Sequence, residues 1–327
     1  MKITDKQLAI AAFCLTFVLS LELILQGFEF VNFVLDPSHQ SSDFHAPYVR
    51  RGLQYIGIIA IYIYWLLRSE PQISKPKIRP EPEANEDQSF LDLVKPFWVF
   101  LFLAYVGFPV TTDIYSYLHF GWMSWMGINP YLTPASEFVS PMSPFLVWGQ
   151  TSTYGPISNL LFMVGAAFTP ISVILGVYVL KVVFLLLHLT NGYLIWRHLK
   201  PSAHYKKTTI AYLFNPLLLY EFIVEGHIDV LISTFCISFI ILLRHKRYAA
   251  ALLAIVAGFF SKTLPIVWLP MACVFLIRQK RWQALAIAIL ITAALCTLFG
   301  STIFPNAKAV LSIINPGVAY QTGWVVP

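Results

Sequence analysis

The feature that most constrains this chain is a succession of long apolar runs, at residues 7–26, 53–67, 96–110, 171–196, 209–224, 228–243, 248–260, 264–277 and 282–299. Hydrocarbon offers no partner to a backbone N–H or C=O, so a segment crossing a bilayer must pair those groups within itself, as a helix does. A transmembrane β-barrel would instead show alternating stretches of ~10 residues, whereas these runs are continuous. Hydrophobic residues make up 57% of the 327 and charged residues 12%, far below the roughly 25% charged of soluble domains. The expected fold is an all-α polytopic membrane protein with about nine transmembrane or partial helices. Glu22 and Gln26 lie where a small-residue cleavage site would fall, which predicts a retained first helix.

The net charge of +6 does not point to nucleic acid, because the basic residues sit between apolar runs and read as topology signals. With Lys2 and Lys6 in the cytoplasm, the stretch 68–95 falls inside with Arg68, Lys75, Lys77, Arg79 and Lys95, and residues 111–155, which contain no Lys or Arg, fall outside. If 157–169 lies along the outer surface as an interfacial helix, then Arg197, Lys200, Lys206, Lys207, Arg244, Lys246, Arg247, Arg278, Lys280 and Arg281 all return inside. Arg50, Arg51, Lys181, Lys262 and Lys308 escape that pattern. The four cysteines, Cys14, Cys236, Cys273 and Cys296, lie in apolar runs without CxxC spacing and read as small buried hydrophobes.

The chain therefore divides into an N-terminal helical hairpin (1–67), a cytoplasmic disordered linker (68–95) rich in proline and acidic residues, a transmembrane core (96–299) with an outer loop at 111–170, and an outer tail (300–327).

Three places carry residues suited to chemistry. Asp113 stands just past the outer end of the third apolar run, where a carboxylate half in water can be tuned as a general base or can cap a helix end. Glu221, Glu225, His227 and Asp229 gather at the outer ends of two adjacent runs. Ionisable groups at membrane depth are functional suspects; Glu225, His227 and Asp229 could hold a divalent metal, tie a loop or bind a substrate hydroxyl. Lys262 sits in the break Ser261-Lys262-Thr263-Leu264-Pro265, where it suits a phosphate or neutralises a neighbouring carboxylate. Lys181, inside the run 171–196, is a second cation that could snorkel outward. The aromatics Trp122, Trp125, Tyr131, Phe138, Phe145 and Trp148 suit either the membrane interface or stacking on sugar rings.

Several motifs follow one another in a recognisable order: Asp113 with Tyr115-Ser116-Tyr117, Gly127-Ile128-Asn129-Pro130-Tyr131, Tyr154-Gly155-Pro156, Asn215-Pro216, Glu225-Gly226-His227-Ile228-Asp229, and Lys262-Thr263-Leu264-Pro265 with Pro270. Over roughly 96–299 this order resembles the GT-C superfamily of integral-membrane glycosyltransferases, and most closely the bacterial polyprenol-phosphate-mannose-dependent mannosyltransferases. The resemblance implies a polyprenyl-phosphate sugar donor, chemistry on the outer face of a bacterial inner membrane, and Asp113 as catalytic base. It implies Lys262, with Lys181, at the donor phosphate. Tyr115, Tyr117, Asn129, Tyr131, Tyr154, Glu225, His227 and Asp229 would line the substrate site. Relatives often carry Tyr-Pro-Pro or His-Pro-Pro where this chain has Tyr154-Gly155-Pro156. The N-terminal hairpin is an addition to the pattern, and relatives often carry helices beyond the point where this sequence stops, which suggests a short form or a fragment.

The expected reaction is inverting transfer of a sugar, mannose by resemblance, to a glycan or glycolipid acceptor. A lipid phosphate leaves as a good anion, so the chemistry requires no metal or other cofactor. Two other readings stay open: a transporter or flippase of a lipid-linked sugar, to which broken helices would also be suited, and an inactive scaffold subunit.

Overall fold

A computed structural model describes residues 4–35, 45–68 and 89–314. Its regular elements are all helical: α1 (Asp5–Leu35), α2 (His45–Arg68), α3 (Phe90–Val94), α4 (Trp98–Val106), α5 (Asp113–Trp125), α6 (Pro156–Ala166), α7 (Val173–Leu199), α8 (Tyr205–Leu213), α9 (Pro216–Leu218), α10 (Asp229–Arg244), α11 (Tyr248–Phe259), α12 (Trp268–Arg278), α13 (Trp282–Ile303) and α14 (Ala307–Ile314), with short 3₁₀ and π turns between some of them. The expected linker lies mostly at 69–88 and the end of the expected tail at 315–327, both outside the described residues.

The chain forms two compact units. One comprises residues up to 110 with 188–225, and the other 111–187 with residues from 226 onward. In the first, α1 lies against α2 and α4. Glu22 on α1 accepts from Arg50 Nε at 3.1 Å and from Gln54 Nε2 at 3.0 Å, both on α2. Tyr62 donates to the carbonyl of Ala211 at 2.9 Å. The run 209–224, expected as one helix, is three pieces. Pro216 has no N–H to continue α8, and the Asn215 side chain instead accepts from Leu217 N at 3.0 Å to start a new turn. Residues Leu219–Val224 then widen into a π turn.

In the second unit α5 and α6 are closely packed. Tyr117 stacks on Phe162 with ring centroids 4.5 Å apart, and Gly121 lets the two backbones approach: a Cβ there would lie 2.5 Å from the carbonyl carbon of Phe162. The start of the stretch expected as an outer loop is thus a helix, buried along most of its length. Helix α11 packs on α10 and α13, and Leu252, Ala272, Leu276, Leu285 and Ala288 form a shared core with α12. The first residues of the expected tail continue α13, and α14 follows; Ala309 and Ile313 cover Tyr131.

Among the described residues, the helices Lys6–Leu35 and Val173–Leu199 have both the length and the apolar composition to cross a membrane. Pro156–Ala166, Tyr248–Phe259 and Leu264–Arg278 are shorter, and the breaks at 215–216 and 260–263 interrupt runs that the sequence joins or nearly joins. A 12-residue helix such as α11 rises about 18 Å, short of a hydrocarbon core of roughly 30 Å.

The close approach at Gly121 predicts that Gly121→Ala lowers stability by about 1–3 kcal/mol. Gly300→Ala on α13, where an added Cβ meets nothing within 4 Å, gains up to about 1 kcal/mol from helix propensity. Thermal unfolding of the two variants in detergent should move in opposite directions from the parent.

Candidate active site

Two helices of the second unit begin with a carboxylate. Asp113 is the first residue of α5 and Asp229 the first of α10. A helix N-terminus carries partial positive charge and favours an anion there, so both positions have a local structural reason to be acidic. What distinguishes them is their surroundings.

Gly226, at φ +69°, turns the chain into α10; the left-handed conformation suits glycine, and a Cβ would come 2.7 Å from Ile114 Cδ1 on α5. This turn delivers His227 to Asp113, with Nε2 3.6 Å from Oδ2. It is an ion-pair separation rather than a hydrogen bond. The Asp113 side chain is 41% exposed and that of His227 19%, so the carboxylate is open to an incoming molecule on one side and backed by the imidazole on the other.

Asp229 meets Lys262, whose Nζ lies 2.9 Å from each carboxylate oxygen. Lys262 stands where α11 has stopped at Phe259, before the 3₁₀ turn Leu264–Val267 that leads into α12. Its own backbone N–H still reaches Gly258 O at 2.9 Å. The pair is about one-third exposed (34% and 40%). An ammonium has three N–H groups; with two directed at Asp229, a third can be offered to another anion.

Tyr117 and Tyr154 complete the group. Their hydroxyl oxygens are 3.4 Å apart and their rings meet edge to face. Burial drives the Tyr117 phenol well above its ordinary range, and Tyr154, Asp113 and Asp229 add to it. Burial raises Tyr154 as well, again with help from Asp113. Both are therefore protonated hydroxyls at neutral pH, able to donate a hydrogen bond beside two carboxylates. Asp113, Tyr117, Tyr154, His227, Asp229 and Lys262 are brought together.

The other residues singled out in the sequence lie elsewhere. Tyr115 is fully buried and stacks on Phe145 with centroids 4.5 Å apart. Asn129 organises its own turn: Oδ1 accepts from Tyr131 N at 2.9 Å and Nδ2 donates to Ile303 O at 2.9 Å. Tyr131 is buried against Phe304. Lys181 is fully buried on α7, its Nζ 5.3 Å from the Tyr178 ring centre, so it does not snorkel outward. Glu225 belongs to the first unit, where it is 1% exposed and accepts from Val110 N at 3.1 Å. Among the described residues no group of three or more His, Cys, Asp or Glu side chains is arranged to hold a metal.

Sequence reasoning missed the residues that hold the break. Gly155 N–H and Ser158 Oγ both donate to Ser261 O at 2.9 Å, and Ile157 N–H donates to Phe260 O at 3.1 Å. The Tyr-Gly-Pro sequence marked a turn, but nothing local indicated what the turn would meet. His119, likewise not singled out, is buried with Nδ1 2.8 Å from Ser140 Oγ.

The residues 28–278 match the family model described as alpha-(1->6)-mannopyranosyltransferase, N-terminal domain. No curated protein and no solved structure matches the chain. A mannosyltransferase takes a sugar donor and an acceptor.

Burial pulls His119 from its ordinary 6.5 down to about 4, a backbone hydrogen bond at Ala135 offsetting part of the effect. The native state thus holds the imidazole neutral where the unfolded chain would protonate it. The stability this contributes is complete above about pH 6.5 and is lost as pH falls towards 4. The unfolding midpoint of the parent should fall between about pH 7 and pH 4.5 more steeply than that of His119→Asn.

Proposed function

Because the chain belongs to the alpha-(1->6)-mannopyranosyltransferase family, we propose that it transfers mannose from a polyprenyl-phosphate donor to a hydroxyl of a glycan or glycolipid acceptor, with inversion, on the outer face of a bacterial inner membrane. The observation that carries this reading is the meeting of a half-exposed, histidine-backed carboxylate, Asp113, with the Asp229–Lys262 pair and two protonated tyrosines.

Asp113 is the general base. The acceptor oxygen attacks the anomeric carbon as its proton passes to Asp113, the bond from that carbon to the phosphate oxygen breaks, and the electron pair leaves with the lipid phosphate. Charge moves from the attacking hydroxyl to the leaving phosphate through an oxocarbenium-like state. Lys262 directs its third N–H at the phosphate oxygen and stabilises the negative charge that grows there. Asp229 holds the ammonium in place. His227 fixes the orientation of Asp113. Tyr117 and Tyr154 offer hydroxyls to the sugar.

The lipid of the donor explains the remaining architecture in this reading. It lies in the bilayer that α1 and α7 cross, with the other apolar runs as partial or shared spans in a multi-pass arrangement. α6 lies along the interface, exposing Leu160 and Val164 to the headgroup boundary.

Asp113→Asn keeps the size of the side chain and removes the base. In liposomes holding radiolabelled polyprenyl-phosphate mannose and a mixed pool of membrane glycans, parental transfer should fall at least ~100-fold in the variant. Equal transfer by both would take the base role away from Asp113. Label crossing the bilayer without transfer would favour a flippase.

A further inference from the structure

Helix α11 cannot continue through Pro265, and the reason is chemical. In an unbroken helix the carbonyl of Ser261 would accept from residue 265, but proline has no N–H. Pro265 thus leaves the Ser261 carbonyl without a helical partner, and the Phe260 carbonyl, just past the end of α11, needs one as well; away from water an unpaired acceptor is costly. Ser261 is fully buried.

The start of α6 has the complementary deficit, since the first N–H groups of any helix lack partners within it. Here the two deficits cancel. Ser261 O receives Gly155 N–H and Ser158 Oγ, each at 2.9 Å, and Phe260 O receives Ile157 N–H at 3.1 Å. The approach is close enough that a Cβ on Gly155 would collide with the Phe260 carbonyl. A proline at 155 would have no N–H to donate. Pro156, by contrast, occupies the first helical position, where the missing N–H costs nothing.

These three bonds grip the two residues immediately before Lys262. The backbone of Lys262 is held from one side by Gly258 O and its neighbour from the other by α6, while its ammonium is held by Asp229. Ser158, fully buried, directs its hydroxyl at Ser261 O rather than at the ammonium. We infer that Ser158, together with the backbone of Gly155, is a positioning element for Lys262: it fixes the point from which the ammonium reaches the donor phosphate. The inference rests on the reading of Lys262 as the phosphate contact. It assigns the Tyr154-Gly155-Pro156 sequence three separate tasks, in which Tyr154 offers a hydroxyl, Gly155 grips the break and Pro156 starts the helix.

The test is binding of polyprenyl monophosphate to the purified protein in detergent, followed by intrinsic fluorescence, for the parent, Ser158→Ala, Lys262→Met and the double variant. Loss of one buried hydrogen bond should weaken binding about fivefold in Ser158→Ala, and loss of the ammonium at least ~10-fold in Lys262→Met. The double variant should bind like Lys262→Met to within about twofold, since a residue acting through Lys262 has nothing left to act on. Ser158→Thr, which keeps the hydroxyl, should restore parental binding. Should Ser158→Ala prove unstable, Ser158→Cys keeps the volume and weakens the donor, and the same comparison applies. Parental binding by Ser158→Ala, or losses that multiply in the double variant, would overturn the positioning role alone. Parental binding by Lys262→Met would overturn the phosphate reading and the inference with it.

Discussion

The carbonyls at residues 260 and 261 must find donors away from water, and much of the candidate site depends on how they do. A helix may stop in apolar surroundings only where something covers its loose end. Here the cover is the first turn of α6. That turn supplies three donors to the two residues before Lys262, and the lysine there meets Asp229. A deficit created by one proline, Pro265, is met by a helix that another, Pro156, begins.

Two carboxylates at helix starts meet two different fates. Asp229 is committed, with both oxygens on Lys262. Asp113 has an imidazole 3.6 Å from one oxygen and keeps substantial exposure. Similar local sequence, an acidic residue at the head of an apolar helix, therefore yields an ion-paired carboxylate in one place and an accessible one in the other. The decisive difference is what the preceding or facing loop brings up to it: the Gly226 turn to Asp113, and the helix break to Asp229.

The architecture was legible in the sequence where the cause is local. The helical class follows from the apolar runs, the break near 261–263 from Ser-Lys-Thr-Leu-Pro, and the start of α6 from Gly-Pro. The division of 209–224 was less so, because the Asn215 side chain that starts the new turn competes with helix continuation only once Pro216 has interrupted it. Helix α5 was hidden inside a stretch that read as loop, since its burial comes from distant partners, Phe162 on α6 and Phe145 and Ser140 in the loop. Partnerships were not legible. Nothing near position 113 names position 227, and Glu225, adjacent in sequence to the site cluster, turns instead to Val110 N. Asn129 and Tyr131 carry the look of a binding motif, yet their contacts serve a turn and a core that includes α14. The order of the motifs identified the family; which of their residues face one another required the packing.

The pairing of Lys262 with Asp229 also has a consequence for encounter. Together with Asp113 the site carries two carboxylates against one ammonium, and the loop at 111–155 adds no Lys or Arg. On the proposed reading, a phosphate approaching this group finds its ammonium already matched by carboxylates, so attraction from these side chains contributes little to its arrival. The lipid-anchored donor proposed above would need none, because confinement to the plane of the bilayer would already deliver it to the protein's rim. Capture is then decided at contact distance, where charges are shielded little by dissolved ions, and the rate of arrival should be nearly indifferent to ionic strength.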